Sequence, residues 1–270
     1  MSAIALASDP VGIFDSGIGG LSVVDAIVRL LPEERLIYFG DTARIPYGTK
    51  SPDTIREYAS QITRFLLDQG CKAIVVACNT ASAPALPYLR AQWPDVPIVG
   101  MEPAVKPGAE ATKTGKVGVL ATRGTLQSER YATLMNRFAR HIEVLENPCI
   151  GLVELIEKEQ FDAQETEALL RRIMLPMLEQ GVDTLVLGCT HYPFVLPLIR
   201  RIAGDEIAII NPAPAVARQL ERVLNEKNLL STARAGKHLF YASKPTPFLE
   251  TFASGLLSAG TYEVQYHSLS

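Results

Sequence analysis

The chain has 270 residues, 47% hydrophobic and 20% charged, with a formal net charge of −3. At about 150 residues per domain this length fits one or two domains, with a core large enough to need no disulfides. The composition excludes a collagenous, low-complexity or disordered chain, and the charge supplies no basic surface, so no nucleic-acid partner is expected.

Residues 1–9 lack a basic n-region, and the apolar residues 4–7 are too few for a signal-peptide core. No apolar run approaches the roughly 18 to 20 residues that span a bilayer. A cytoplasmic protein without membrane attachment is expected. Short apolar runs at 11–14, 36–39, 72–77, 97–100, 117–120, 142–145, 184–187, 207–210 and 238–242 read as strands, separated by longer helical patterns. Ser51-Pro52 opens one helix, with Ser as N-cap and Pro at the first helical position, and Gly70 stands where a left-handed cap belongs. Residues 162–165 read as a capping-box-like start, and Gly181 ends that helix. Continuous apolar strands alternating with helices predict an α/β fold, with mainly parallel sheets covered on both faces.

The two halves resemble one another. Val11-Gly12-Ile13-Phe14 recurs as Val117-Gly118-Val119-Leu120, 106 residues on. Residues 74–80 recur at 185–191 and Pro103-Ala104-Val105 at Pro214-Ala215-Val216, both 111 residues on. Three matches in one order at nearly one offset predict two similar three-layer αβα domains related by a pseudo-two-fold axis. The first is expected over 1–100 plus 209–270, and the second over 101–208.

Open α/β sheets bind ligands beyond the carboxyl ends of their strands. Five segments put polar or reactive residues there: 15–20, 41–48, 78–80, 122–125 and 189–191. The glycine run 17–20 is no dinucleotide fingerprint, because Ser22 stands where a third glycine is required. It is either a tight structural turn or a set of backbone N–H groups facing an anion at a helix start.

The four cysteines, Cys71, Cys78, Cys149 and Cys189, have neither disulfide-framework nor C-x-x-C spacing. Cys78 and Cys189 each end an apolar strand before an expected helix start, where the helix dipole favours a thiolate. If the two domains face each other, these thiols flank one cleft and offer a base to each face of a substrate carbon. His191 is placed to exchange a proton with Cys189, and Asp15 with Cys78. Cys78, Cys189 and His191 lack the spacing of a metal site, so no metal is expected. Cys71 and Cys149 read as structural.

At these residues the chain resembles the cofactor-independent aspartate/glutamate racemase superfamily. The match runs through Gly-Ile-Phe-Asp15-Ser16-Gly-Ile-Gly-Gly-Leu, Gly40-Asp41-Thr42 with Pro46-Tyr47-Gly48, Ala77-Cys78-Asn79-Thr80-Ala81, and Gly188-Cys189-Thr190-His191-Tyr192-Pro193. The Asp-Ser-Gly-x-Gly-Gly and Pro-Tyr-Gly segments resemble its glutamate branch. The resemblance implies two α/β domains with the active site between them, a small-molecule substrate, and neither pyridoxal phosphate nor metal, hence no cofactor. It further implies that Cys78 and Cys189 are the acid/base thiols, assisted by Asp15 and His191. It makes Ser16, Pro46, Tyr47, Gly48, Asn79, Thr80 and Thr190 substrate-binding residues, joined by Thr122 and Thr125. It also implies an acidic residue near the second thiol, on the helix after the strand ending near Leu145. Glu154 and Glu157 both lie there, and the pattern favours Glu157. Both halves can offer an interface, which leaves a homodimer open.

Overall fold

The computed structural model describes residues 5–233, 235–258 and 261–269. Residues 1–4, part of the segment read as carrying no signal peptide, lie outside them. The chain divides into two compact units, Met1–Met101 with Ala213–Ser270, and Glu102–Pro212.

In chain order the first unit begins with β1 (Val11–Asp15), α1 (Leu21–Leu30), β2 (Leu36–Gly40), α2 (Pro52–Asp68), β3 (Ala73–Val76), α3 (Asn79–Gln92) and β4 (Ile98–Gly100). The second unit holds α4 (Val105–Ala111), β5 (Lys116–Ala121), α5 (Arg123–Leu126), α6 (Glu129–Phe138), β6 (Glu143–Asn147), α7 (Leu152–Glu157) and α8 (Gln164–Glu179). It continues with β7 (Thr184–Gly188), a short 3-10 helix (Tyr192–Val195), α9 (Leu196–Ala203) and β8 (Ala208–Ile210). The chain then returns to the first unit through α10 (Ala213–Glu226), β9 (His238–Ala242), α11 (Pro247–Leu256) and β10 (Tyr262–Tyr266).

All strand pairs are parallel, in the orders β10-β9-β2-β1-β3-β4 and β6-β5-β7-β8. The run β2-β1-β3-β4 has the same order as β6-β5-β7-β8, which is the physical content of the sequence repeat. β1, β2 and β3 are buried along their whole length, as strands covered on both faces must be. Glycine permits two close approaches: a Cβ on Gly20 would lie 2.6 Å from the Asp15 Cβ, and one on Gly188 would lie 2.6 Å from the Ala121 Cβ.

The boundary expected at 209 falls inside β8. That strand pairs Ala208 with Thr184 of β7 and so belongs to the second sheet, which moves the crossover beyond Pro212. β10 was not among the predicted strands. It is a half-buried edge strand whose Glu263 and Gln265 break the apolar run.

The cap of α2 forms as its sequence requires: the Ser51 Oγ accepts from the Thr54 N–H at 3.2 Å, and Gly70 has φ +80°. One face of α2, Ile55, Ala59, Ile62 and Leu66, is buried against the sheet. The capping box expected at 162–165 does not form. The N-cap of α8 is Ala163, without a side-chain bond, and Asp162 pairs with Arg201 at 3.3 Å instead.

One buried ion pair ties the first unit together. Lys72 Nζ lies 2.7 Å from Glu34 Oε2, both side chains at most 1% exposed, and it also donates to the Ala7 carbonyl at 2.5 Å. Glu34 Oε1 accepts from the Ser231 N–H at 2.8 Å. The pair thereby joins the start of β3, the turn before β2, the N-terminal segment and the chain following α10.

Candidate active site

The carboxyl ends of the strands carry a polar cluster in each unit. In the first, β1 delivers Asp15 at its last position, and β3 leads through Ala77 to Cys78, the N-cap of the 14-residue α3. Asp15 is fully buried, and Ser16 and Cys78 are nearly so. The Cys78 Sγ donates to the Ser16 Oγ at 3.8 Å, and the Ser16 Oγ donates to Asp15 Oδ1 at 3.3 Å. A hydroxyl thus stands between thiol and carboxylate.

The glycine run explains how Asp15 is held. The Gly17 N–H donates to Asp15 Oδ1 at 2.9 Å, and the Tyr38 hydroxyl donates to the Gly17 carbonyl at 2.5 Å. These two bonds pack Gly17 between Asp15 and Tyr38. Asn79 and Thr80 fill the first turn of α3, both buried. Neither polar atom of the Asn79 carboxamide has a hydrogen-bond partner among the described residues. A buried amide so placed costs free energy unless something pairs with it.

Pro46, Tyr47 and Gly48 lie in the loop after β2, where Pro46 and Gly48 are half-buried and Tyr47 is 2% exposed. The Tyr47 hydroxyl donates to Asp41 Oδ2 at 2.6 Å. Burial and the Asp41 carboxylate push the Tyr47 phenol well above its ordinary range, so it stays protonated. Asp41 lies in the strand-end segment 41–48, where the sequence assigned it no role of its own. Its signal was its place one residue beyond the end of a buried strand.

In the second unit, β7 ends at Gly188 and Cys189 follows, 6% exposed. No α-helix starts there; His191 instead caps the short 3-10 helix. His191 Nδ1 lies 3.6 Å from the Cys189 Sγ, and its Nε2 lies 2.5 Å from Glu157 Oε1 at the end of α7. Burial opposes the imidazolium, but the hydrogen bonds and charges of Cys189 and Glu157 outweigh it and raise the His191 pKa well above its usual value. Of the two acidic candidates on α7, Glu157 is the one on the imidazole. Thr190 is buried beside them. Thr122, the N-cap of α5, meets Thr125 hydroxyl to hydroxyl at 3.0 Å, at the end of β5, the strand corresponding to β1.

The other two cysteines are buried as well. Burial pushes the thiols of Cys71 and Cys149 up to about 12, which keeps them neutral. Among the described residues no three His, Cys, Asp or Glu side chains form a group that could hold a metal ion, and no helix is long and apolar enough to cross a membrane.

A thiol backed by an imidazole and a carboxylate, and a second thiol leading through a hydroxyl to a carboxylate, are proton-transfer groups, carried here on two parallel α/β sheets. This fold is that of solved glutamate racemases. The sequence model of the Asp/Glu/Hydantoin racemase family matches residues 11–220, and the chain belongs to that family. It is similar to a glutamate racemase of Pseudomonas aeruginosa, 54% identical over 240 residues, which cover 89% of this chain and 91% of that protein. Its structure is similar to that of Escherichia coli glutamate racemase in complex with L-glutamate and the activator UDP-MurNAc-ala, with TM-score 0.84 and 34% identity, covering 97% of this chain and 99% of that one. It is also similar to Francisella tularensis glutamate racemase in complex with D-glutamate, with TM-score 0.82 and 34% identity, covering 98% and 99%.

Proposed function

We propose that the chain is a cytoplasmic glutamate racemase that interconverts L- and D-glutamate with two cysteine thiols and supplies D-glutamate for peptidoglycan. The observation that carries this reading is the Cys189–His191–Glu157 chain, at 3.6 and 2.5 Å, in one unit, together with a thiol at the corresponding strand end of the other. The 54% identity to a glutamate racemase supports glutamate as the substrate.

In the proposed reaction one thiolate takes the α-proton: the Cα–H bond breaks and an S–H bond forms. The other thiol delivers its proton to the opposite face, so that its S–H bond breaks and a new Cα–H bond forms. Thiol and thiolate have then exchanged places, and the reverse reaction starts from that state. His191 balances charge at Cys189, and Glu157 holds the imidazole; Ser16 and Asp15 serve Cys78. Asn79, with both polar atoms unpartnered, is suited to a substrate carboxylate or ammonium, alongside Thr80, Thr122, Thr125, Thr190 and the Pro46–Tyr47–Gly48 loop.

A thiolate is a modest base for a weakly acidic C–H bond. Positioning has to supply a large share of the barrier, up to roughly 7 to 11 kcal/mol in favourable cases. Fixed donors have to stabilise the carbanion.

The test is incubation with L-glutamate in deuterated water, following chirality and α-deuterium together. D-glutamate labelled at the α-carbon is expected. Its absence refutes the proposal, and turnover of aspartate alone reassigns the substrate. Cys78→Ser and Cys189→Ser should each lose at least about a hundredfold in racemisation, the lower end for a positioned acid or base. Wild-type turnover by either variant refutes the two-thiol mechanism.

A further inference from the structure

The loop carrying Pro46, Tyr47 and Gly48 has only a short 3-10 turn, Tyr47–Thr49, to define its shape. Tyr47 packs into the core against Tyr58, and the polar anchor of the loop is the Asp41 carboxylate, which is fully buried and bonded on both oxygens. Oδ2 receives the Tyr47 hydroxyl at 2.6 Å, and Arg44 stands 3.7 Å from the same atom. Oδ1 receives the Ser243 hydroxyl at 2.9 Å. Ser243 follows the last residue of β9, far along the chain and outside the 11–220 stretch that matches the family.

Ser243 is itself fixed at three points. Its N–H donates to the Gly40 carbonyl at 3.0 Å, extending the β2–β9 pairing, and its Oγ accepts the Ala43 N–H at 2.9 Å. Its neighbour Lys244 exchanges backbone bonds with the Thr42 hydroxyl at 2.7 and 2.9 Å. The register that sets Gly40 against Ala242 therefore puts Ser243 beside Asp41.

We infer that Ser243 is a positioning residue for the substrate-binding loop: it orients the Asp41 carboxylate, which in turn fixes Tyr47 and the loop on either side. The inference rests on the proposed reaction, because the loop's function is to hold the substrate. Ser243 touches no reacting atom. Without its hydroxyl, Asp41 Oδ1 loses a donor, the carboxylate is held through Oδ2 alone, and the Tyr47 loop samples more conformations before substrate binds. The loss falls on binding rather than on proton transfer, since both thiols stay as they are.

The experiment is steady-state racemisation of both glutamate enantiomers by wild type, Ser243→Ala, Ser243→Thr, Tyr47→Phe and the Ser243→Ala/Tyr47→Phe double variant. Ser243→Ala should raise KM about tenfold, equivalent to about 1.4 kcal/mol, with kcat within about twofold of wild type, the pattern of lost binding rather than lost transition-state stabilisation. Ser243→Thr keeps the hydroxyl and should restore most of the affinity. The double variant should be little worse than Tyr47→Phe alone, because both changes break one relay. Additive losses, or a lowered Tm with an unmoved KM, overturn the role of Ser243 while leaving the racemase reading intact. A kcat loss as large as the KM rise overturns it too. A wild-type protein that racemises no glutamate overturns both. If Ser243→Ala fails to fold, the Ser243→Thr and Tyr47→Phe pair carries the same test, and failure of Ser243→Thr to stay near the wild-type KM refutes the inference.

Discussion

Replacing Glu157 by Gln keeps the size of the side chain and an acceptor for His191 Nε2 but removes the charge. The His191 side chain is 3% exposed and the Glu157 side chain 14%, so water has little room to take the carboxylate's place. A hydrogen bond to a charged group contributes about 1.5–3 kcal/mol and a neutral one about 0.5–1.5. The difference, about 1–1.5 kcal/mol, corresponds to roughly one pKa unit lost from His191. If His191 stabilises the thiolate of Cys189, the same energy appears in the barrier, and kcat/KM should fall about tenfold. Because two enantiomers have equal free energy in water, kcat/KM must fall equally in the two directions. Exchange of the α-proton into deuterated water at the Cys78 side should be better preserved than racemisation.

The sign of the pH dependence follows from the direction of the shift. His191 is raised in the folded state, so its stabilisation is full below the unfolded value near 6.5 and fades as pH rises through the folded value. Glu157→Gln should therefore cost more stability in urea unfolding at pH 6 than at pH 9, and its His-dependent rate limb should move to lower pH. A variant within about twofold of wild-type kcat/KM, with an unmoved pH profile, would refute the assignment of Glu157 to the imidazole.

Two stability predictions concern groups away from the thiols. Lys72→Met strands the Glu34 carboxylate, 1% exposed, without its cation; it should destabilise the protein by about 3–5 kcal/mol. Adding Glu34→Leu should recover much of that in the same denaturant titration. Asp183 takes bonds from the Thr112 hydroxyl at 2.6 Å and from the Lys113 and Thr114 N–H groups at 2.7 and 2.8 Å. Burial works against its charge, but these donors outweigh it and lower its pKa to about 2. Its contribution is present above the unfolded value and is lost as pH falls from about 4 towards 2; after solvent screening it is about 1 kcal/mol. Asp183→Asn should accordingly lower Tm at pH 7 and leave it unchanged near pH 2.

Most of the fold is legible in the sequence because buried parallel strands and capped helices leave local marks. Residues 36–39 and 185–187 are apolar throughout because both faces of β2 and β7 are covered, and Ser51-Pro52 and Gly70 bound α2 by backbone chemistry alone. The elements that escaped, or were misread, lack such marks. β10 is an edge strand that needs no continuous apolar run, and at the start of α8 the Asp162 side chain of the expected box pairs with Arg201 instead. β8 is three residues long, and only its ladder with β7 says which sheet owns it.

The candidate site divides along the same line. The sequence by itself determined the residue types and their strand-end positions: Asp15, Cys78, Cys189 and His191 each sit within four residues of an apolar run, because ligands of α/β proteins are bound where strands end. It also placed Glu154 and Glu157 on one helix and left the choice between them to pattern. Only the tertiary structure decided that choice, by bringing the end of α7 to within 2.5 Å of an imidazole 34 positions away. Likewise no local signal joins Ser243 to Asp41, which lie 202 positions apart and meet because β9 pairs with β2. Periodicity, caps and motifs record interactions between near neighbours, whereas a hydrogen bond across a sheet depends on register and strand order, which are properties of the assembled chain.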